Sequence, residues 1–444
     1  MLDYLIVGAG PAGLSAALTA VELGVRPLVV DNRPEPGGNI YAFLGSSAEY
    51  RAESLRTLGT AYSGGLPLIR RFLDGVSRDA IDYRPSSKLW HLEQDRSFAV
   101  SGPGGNIADT AKNICLATGA QERPAPMPGW TLPGVMGVGA AQLLLKSGGQ
   151  LPSKSIVIIG NGPLPLLLAS QLRNVGSPPK AVIEPRGSVR YKLSIPGYLG
   201  AFAAPITSFK GLMYLASQKL SETHVYTNAD DIEVLGTDCA VGVGFYRNGK
   251  RHEVDADLIL IHDGIVPNAN PISAAGINSS YNAAQQALHA DASSSIKVAG
   301  DAAAILGAKS AELTGRIRTL ETFGQRIPTS LSYELWRQRK FRTFLDEAYP
   351  PVKFAGKASD DTIICRCELS TAKQVRNTAL AVGPDANRIK TALRCGMGPC
   401  QGRMCGYSIM DLIHDETNTP YPDITPQRCR SPILPVSFGD LASE

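Results

Sequence analysis

Residues Tyr4–Gly24, YLIVGAGPAGLSAALTAVELG, leave this chain few folds to choose from. A short apolar strand runs into a glycine turn and then an amphipathic helix, with Gly8, Gly10 and Gly13 at GxGxxG spacing. The first glycine permits the tight turn. The second lets backbone N–H groups approach a pyrophosphate, and the third lets the helix lie close on the strand. Pro11 and Ala12 open the helix, and a second strand, PLVVD, ends at Asp31 and Asn32, where an acid can accept from a ribose hydroxyl. GxGxxG alone is weak evidence; the strand before it and the helix, strand and acid after it make a dinucleotide site the expectation.

Two distant stretches complete the same site. NICLATGA ends a strand at Thr118 and Gly119, and IKVAGDAAAI ends one at Gly300 and Asp301 before a helix. Asp301 is placed to accept from a flavin ribityl hydroxyl, with the following helix aimed at phosphates. PEPGGNIYAFL adds Gly38 and Asn39 near the first turn. Between the two stretches lies another strand–turn–helix, SIVIIGNGPLPLLLASQLRNVG, followed by AVIE. Gly160 and Gly162 form its turn, and Glu184 stands where a ribose acceptor would. Its third glycine position holds Pro165, with Pro163 before it, and proline does not reproduce the close helix–strand approach. The expectation there is a retained fold holding some other adenine nucleotide, or nothing, rather than a working nicotinamide site.

The expected architecture is α/β: an FAD-binding domain split between 1–122 and 263–330, and a second nucleotide-binding domain inserted at 123–262. A linker at 331–360, a small helical domain at 361–415 and a tail at 416–444 follow. With 444 residues and 43% apolar content the chain can bury that many cores. A net charge of +4 without Lys/Arg runs gives no electrostatic case for nucleic acid. No leader pattern precedes the first strand and no apolar run is long enough to span a bilayer, so a cytoplasmic protein without a transmembrane segment is expected.

In a reducing compartment, clustered cysteines read as metal or redox ligands before they read as disulfides. Of eight cysteines, only Cys115 and Cys239 precede residue 361. Neither has a near neighbour in sequence, so both are expected to be small buried residues, and disulfide reductase chemistry is excluded. Cys365 and Cys367 form C-x-C in TIICRCELS, and Cys400 and Cys405 form C-x4-C in RCGMGPCQGRMCGY, with Cys395 as a fifth thiol nearby. Structural zinc usually takes C-x2-C knuckles; four thiolates in glycine-rich turns suit a [2Fe–2S] cluster, with zinc the alternative. Arg366 and Arg403 would offset the cluster's negative charge. TAKQVRNTALAVG and ANRIKTALR read as helices that hold the two cysteine loops together. The six histidines are scattered, and the carboxylates form no acid–base motif.

Residues 1–330 resemble the glutathione-reductase-like, FAD-dependent pyridine nucleotide oxidoreductases, in their two-dinucleotide-binding arrangement. Residues 361–415 resemble the bacterioferritin-associated-ferredoxin [2Fe–2S] domain, which implies Cys365, Cys367, Cys400 and Cys405 as ligands. GAGPAGLSAA, PGGNIY, LATGAQERPAPMPGWTLPGVMGVGAAQLLLKSG, HDGIVPN and CGMGPCQGRMCG, in that order, resemble the A-subunit family of opine (octopine or nopaline) oxidase. The B-type component of hydrogen cyanide synthase and the alpha subunits of dye-linked proline and hydroxyproline dehydrogenases are similar. The resemblance implies an electron-transferring subunit beside a D-amino-acid-oxidase-like flavoprotein subunit that oxidises the amine. It also suggests FMN at the subunit boundary and leaves room for a small ferredoxin-like subunit, with peripheral attachment at the inner membrane through the electron acceptor. Asn39, where many relatives have Gln, and Pro165 depart from the pattern.

Overall fold

The computed structural model describes residues 1–44, 60–148, 151, 153, 155–185, 194–219, 221–291 and 296–442. Leu2–Val7 is buried at Tyr4, Leu5, Ile6 and Val7, on both of its faces, as a central parallel strand requires. It sits in a seven-stranded sheet ordered Asp82–Arg84, Leu28–Val30, Leu2–Val7, Ile107–Leu116, Ser97–Ser101, Lys88–Leu92. Lys297–Val298 pairs with the far side of Ile107–Leu116, bringing the chain back after the inserted domain. Leu5 aligns with Leu28 and with Ile114, so Asp31, Thr118 and Gly8 fall at the same sheet edge. Helix α1 (Pro11–Glu22) begins on Gly10, with Pro11 in its first turn, where the missing N–H leaves no bond unmade.

The inserted domain has its own seven-stranded sheet, with Ile156–Ile159, Ala181–Pro185 and Leu258–Ile261 parallel and buried and Val135–Gly137 as a parallel, half-buried edge strand. Helices α2 (Val138–Gly148), α3 (Pro163–Asn174), α4 (Ile195–Ala203) and α5 (Pro205–Lys219) belong to this part of the chain. The short antiparallel pair Ala120–Glu122 and Ile265–Pro267 marks where the chain leaves and re-enters the first domain.

Helix α6 (Ala308–Thr322) packs on α1 so closely that a Cβ at Gly315 would overlap the carbonyl oxygen of Ala12, and the Tyr4 hydroxyl bonds to Thr319 Oγ1 at 3.0 Å. The stretch 331–360, expected as a linker, instead holds most of a twenty-residue helix, α7 (Thr329–Ala348), packed against α4. Its sequence mixes apolar and basic residues without a clean amphipathic period, which hides it from pattern reading. The cluster domain contains α8 (Ala372–Val382), α9 (Ala386–Leu393) and α10 (Gly406–Thr417). Thr371 and Gln374 close a capping box at the start of α8, and Asp385 caps α9. Residues beyond 417 are not a free tail. The Ile433 N–H donates to Trp90 O at 2.7 Å, and His91 Nδ1 meets Ser431 Oγ at 2.9 Å, tying the segment across the first domain.

One buried ion cluster joins the parts. Arg123, at the exit from the first domain, holds both carboxylate oxygens of Asp411 on α10 at 2.8 Å and lies 3.7 Å from Asp263. All three side chains are at most 3% exposed. The guanidinium also donates to Gln286 O at 2.8 Å and lies over the Tyr407 ring; Tyr421 Oη donates to Asp411. The Asp263 carboxylate accepts from the Val352 N–H at 2.6 Å, and desolvation pushes its pKa up to about 6 against the pull of Arg123. Replacing one member leaves the other charges buried and uncompensated, which costs roughly 3–5 kcal/mol. Arg123→Ala is therefore expected to lower the thermal midpoint by several degrees, and Arg123→Ala with Asp411→Asn to recover part of the loss; differential scanning calorimetry measures both.

Candidate functional site

A cleft of about 970 Å³ opens at the carboxyl ends of the first sheet's strands, the usual place for a ligand in an open α/β sheet. Gly8, Gly10, Pro11, Ala12, Asp31, Asn32, Gly38, Asn39, Thr118, Gly119, Gly300 and Asp301 line it. Gly13, the thirteenth residue expected there, does not: a Cβ on it would overlap the carbonyl oxygen of Gly8. Gly8 and Gly13 are therefore demanded by the fold, Gly8 by its φ of +104° and its contact with Ala117 O. Gly10 is different. Its φ is −78°, open to any residue, and a Cβ there would meet only Gly38 Cα at 3.8 Å. Among the described residues nothing requires glycine at this position, and its open side leaves room for a ligand at the helix start.

The polar wall is divided between groups the fold uses and groups it leaves open. Asp31 spends both oxygens on the turn itself, accepting from Ala9 N at 2.5 Å and Arg33 N at 2.7 Å. Asp301 Oδ1 accepts from Leu306 N and Gly307 N, fixing the turn before α6. Burial raises both carboxyls above the usual range. Thr118 Oγ1 and Asn268 Oδ1 also line the cleft, buried and without a hydrogen-bond partner among the described residues. An orphaned acceptor and an orphaned hydroxyl are costly unless a bound group satisfies them.

Three walls lay outside the first fingerprint. Gln142 on α2 and Tyr62 share a hydrogen bond at 3.2 Å, and Leu164 and Leu167 come from α3 of the inserted domain. Lys146, buried on α2, donates to the carbonyls of Asn39 and Ile40 at 2.8 and 3.1 Å. Burial, helped by nearby Arg33, pushes its pKa down to about 7. Arg403 from the cysteine loop, with Ile433 and Leu434, closes the remaining side. Its Nη1 donates to Cys400 O at 3.2 Å, and both terminal nitrogens reach Ile433 O at 3.4 Å. The motif gave Arg403 a charge-balancing role at the thiols; only the fold brings it to the cleft as well.

Five of the six C-terminal cysteines, all but Cys429, converge. Cys365 lies near enough to Cys395 and Cys405 for their thiols to hold its own far below the ordinary range. Cys367 feels Cys400 and Cys365 in the same way, and Cys405 feels Cys365, Cys395 and Cys400. The five thiols therefore form one ring-like group, Cys395 included. Gly398 packs flush on the Cys367 side chain, where a Cβ would overlap it. Among the described residues no three His, Cys, Asp or Glu side chains are arranged as a metal site. Of the other two cysteines expected to be buried, Cys115 is and Cys239 is not. Cys239 lies in the loop between Leu235 and Gly242, outside any core.

In the inserted domain Gly160 and Gly162 have φ of +132° and +108°, and α3 starts with Pro163. Pro165 is buried in its first turn. Tyr349, just after α7, lies 3.8 Å from where a Gly162 Cβ would stand, so the chain crosses the mouth of this turn. Glu184 is buried at the strand end, and the residues directly after Pro185 lie outside the described ones.

Residues 2–322 match the family model described as pyridine nucleotide-disulphide oxidoreductase. Over 99% of its length the chain is 36% identical to the A-subunit of opine oxidase from Rhizobium meliloti, covering 87% of that protein. It is also 36% identical to the protein of the same name from Agrobacterium tumefaciens, covering 91% of it. The chain belongs to the opine oxidase A-subunit family. Hydrogen cyanide synthase subunit HcnB of Pseudomonas protegens is 29% identical, again over 99% of this chain and 97% of that protein. Among solved structures, L-proline dehydrogenase from P. horikoshii shares the fold, with a TM-score of 0.72 at 19% identity over 99% of this chain and 79% of that one. T. acidophilum thioredoxin reductase matches 72% of this chain and 97% of its own, at 19% identity and a TM-score of 0.50.

As a member of this family the chain is an FAD-dependent oxidoreductase. Among the described residues no helix is long and apolar enough to cross a membrane.

The contrast between Gly10 and Gly13 gives a direct test. Gly10→Val is expected to purify folded, with a thermal midpoint within a few degrees of the parent but with little bound flavin. Gly13→Val is expected to lose folded protein altogether. Flavin absorbance per mole of purified chain, beside the melting curve, separates the two outcomes.

Proposed function

We propose that this chain is the electron-relaying subunit of a heteromeric amine dehydrogenase of the opine oxidase type. It would take electrons from a D-amino-acid-oxidase-like flavoprotein subunit and pass them to an external acceptor. The full-length relatives from opine oxidase and hydrogen cyanide synthase are themselves named as subunits, which supports a heteromer. The substrate class this favours is an opine such as octopine or nopaline, or a related secondary amine or amino acid.

The observation that carries the reading is the shared wall. Arg403 faces the cleft while it bonds to the carbonyl of Cys400, so the residues suited to FAD and the thiol ring are separated by one side chain. FAD supplies acceptance of an electron pair with release one at a time, and a [2Fe–2S] cluster supplies a one-electron outlet. Gly10 and the N-terminus of α1 would take the pyrophosphate, and Thr118 and Asn268 would give their orphaned atoms to the ligand. Cys365, Cys367, Cys400 and Cys405 would hold the cluster. The desolvated Arg403 guanidinium would balance negative charge between the two sites. Tyr349 across Gly162, with Pro165 behind it, argues against a nicotinamide entry.

Two measurements follow. Cys367→Ala is expected to abolish bound iron and its visible absorption, whereas Cys395→Ala, outside the proposed ligand set, is expected to keep both. The function itself is tested by expressing the chain alone and with its partner subunit. Alone, it is expected to carry flavin and iron but to reduce no dye with octopine, nopaline, proline, hydroxyproline or glycine. Co-expressed, the complex is expected to reduce dye with one of them. Turnover by the isolated chain would favour a self-sufficient reductase instead.

A further inference from the structure

Helices α4 and α5 turn their apolar stripes the wrong way for a free-standing protein. On α4, Ile195, Tyr198, Leu199 and Phe202 recur at i, i+3, i+4 and i+7 and are 77%, 57%, 64% and 78% exposed. On α5, Ile206, Phe209, Leu212 and Met213 continue the stripe at 74%, 63%, 63% and 56%. This is the periodicity of a core-facing helix, presented to solvent.

The orientation is fixed from behind. Gly197 and Gly200 are the buried face of α4, and a Cβ at Gly200 would overlap the carbonyl oxygen of Lys340 on α7. Ser194 N and Oγ donate to the Glu347 carboxylate at 2.7 and 2.6 Å, and Arg337 donates to Ala203 O at 2.9 Å. Rotating the stripe inward would break these bonds and drive large side chains into backbone.

Each of these eight side chains exposes on the order of 100 Å². Together they match the roughly 800 Å² that each side of a stable complex buries, and they exceed the apolar patches that monomers normally leave in water.

The charge pattern indicates what covers the face. Between Ser194 and Lys219 the only charged residues are Lys210 and Lys219; no acid occurs. A second copy docking face to face would bring like charges together, which costs affinity, whereas an acidic rim on a different chain would complement them. The face is also on the side of the inserted domain that borders the cleft: α5 packs on α3, and α3 contributes Leu164 and Leu167 to the cleft wall, so two helices, about 20 Å, separate an occupant from the cleft.

We propose that the outward face of α4 and α5 is the seat of the D-amino-acid-oxidase-like subunit, received through an apolar patch with an acidic rim. This rests on the subunit reading above and adds where the subunits meet.

The test is co-expression of the full chain with that subunit, followed by size-exclusion chromatography with light scattering and a titration of the separated subunits. Phe202→Ser with Phe209→Ser is expected to weaken the heteromer about 100-fold or more, while flavin content and the melting curve of the isolated chain stay at parental values. Leu380→Ser, an equally exposed apolar site on the cluster domain, is expected to leave the heteromer intact. A wild-type heteromer that the double variant forms equally well would overturn the placement and leave the subunit reading standing. Failure of the wild-type chains to associate would overturn both. Two further outcomes would replace the partner with another occupant: self-association of the isolated chain that the double variant abolishes, or its binding to phosphatidylglycerol–phosphatidylcholine vesicles lost in the same variant.

Discussion

The buried contact between Arg123 and Asp411 is the constraint on which the other geometry rests. Arg123 sits where the chain leaves the first domain, and Asp411 lies on the helix that starts at the last cysteine of the ring. Their two-pronged bond, with Asp263 at the return of the chain, fixes the cluster domain against the hinge between the nucleotide folds. Arg is suited to this role because its planar guanidinium stays charged in a dry environment and spreads its donors, with Nη2 reaching both oxygens of Asp411, Nη1 donating to Gln286 O and Nε facing Asp263. With that contact in place, the loop carrying Arg403 can lie against the cleft only one way. Gln121 Nε2 to Arg403 O and Asn270 Nδ2 to Gln401 O, at 3.1 and 2.9 Å, hold it there.

The cleft is therefore a product of three parts of the chain. The first domain supplies the strand ends and the α1 N-terminus, the inserted domain supplies α2 and α3, and the C-terminal region supplies Arg403, Ile433 and Leu434. Such a cavity excludes water from several sides, which strengthens the effect of each fixed charge and dipole lining it. It also explains why the segment after α10 folds back along Trp90 and His91 instead of trailing away.

Much of this was legible in the residues. Gly8 to Gly13, Asp31, Thr118–Gly119 and Gly300–Asp301 announce a split nucleotide fold because each is tied to a local backbone requirement: a tight turn, a strand end or a helix start. α8 and α9 were equally readable from their periodicity and caps. The helix α7 was not, because it is stabilised by packing against α4 and α6 and not by an amphipathic pattern of its own. Cys239 could not be told from Cys115, since a lone cysteine carries no signal of burial. Tyr62 belongs to no motif, and although Gln142 and Lys146 lie in a stretch that carries the resemblance, their place at or beside the cleft comes from domain packing.

The sequence by itself determined the class of cofactor fold and the two cysteine loops, because glycine spacing and thiol spacing act over a few residues and need no distant partner. The tertiary structure alone decided which surfaces meet. It set Arg403 between thiols and cleft, turned Tyr349 across the second glycine turn, and left the stripes of α4 and α5 facing outward. Those outcomes depend on contacts between residues far apart in the chain, where burial, charge pairing and steric fit act on the folded protein and leave no local pattern to read.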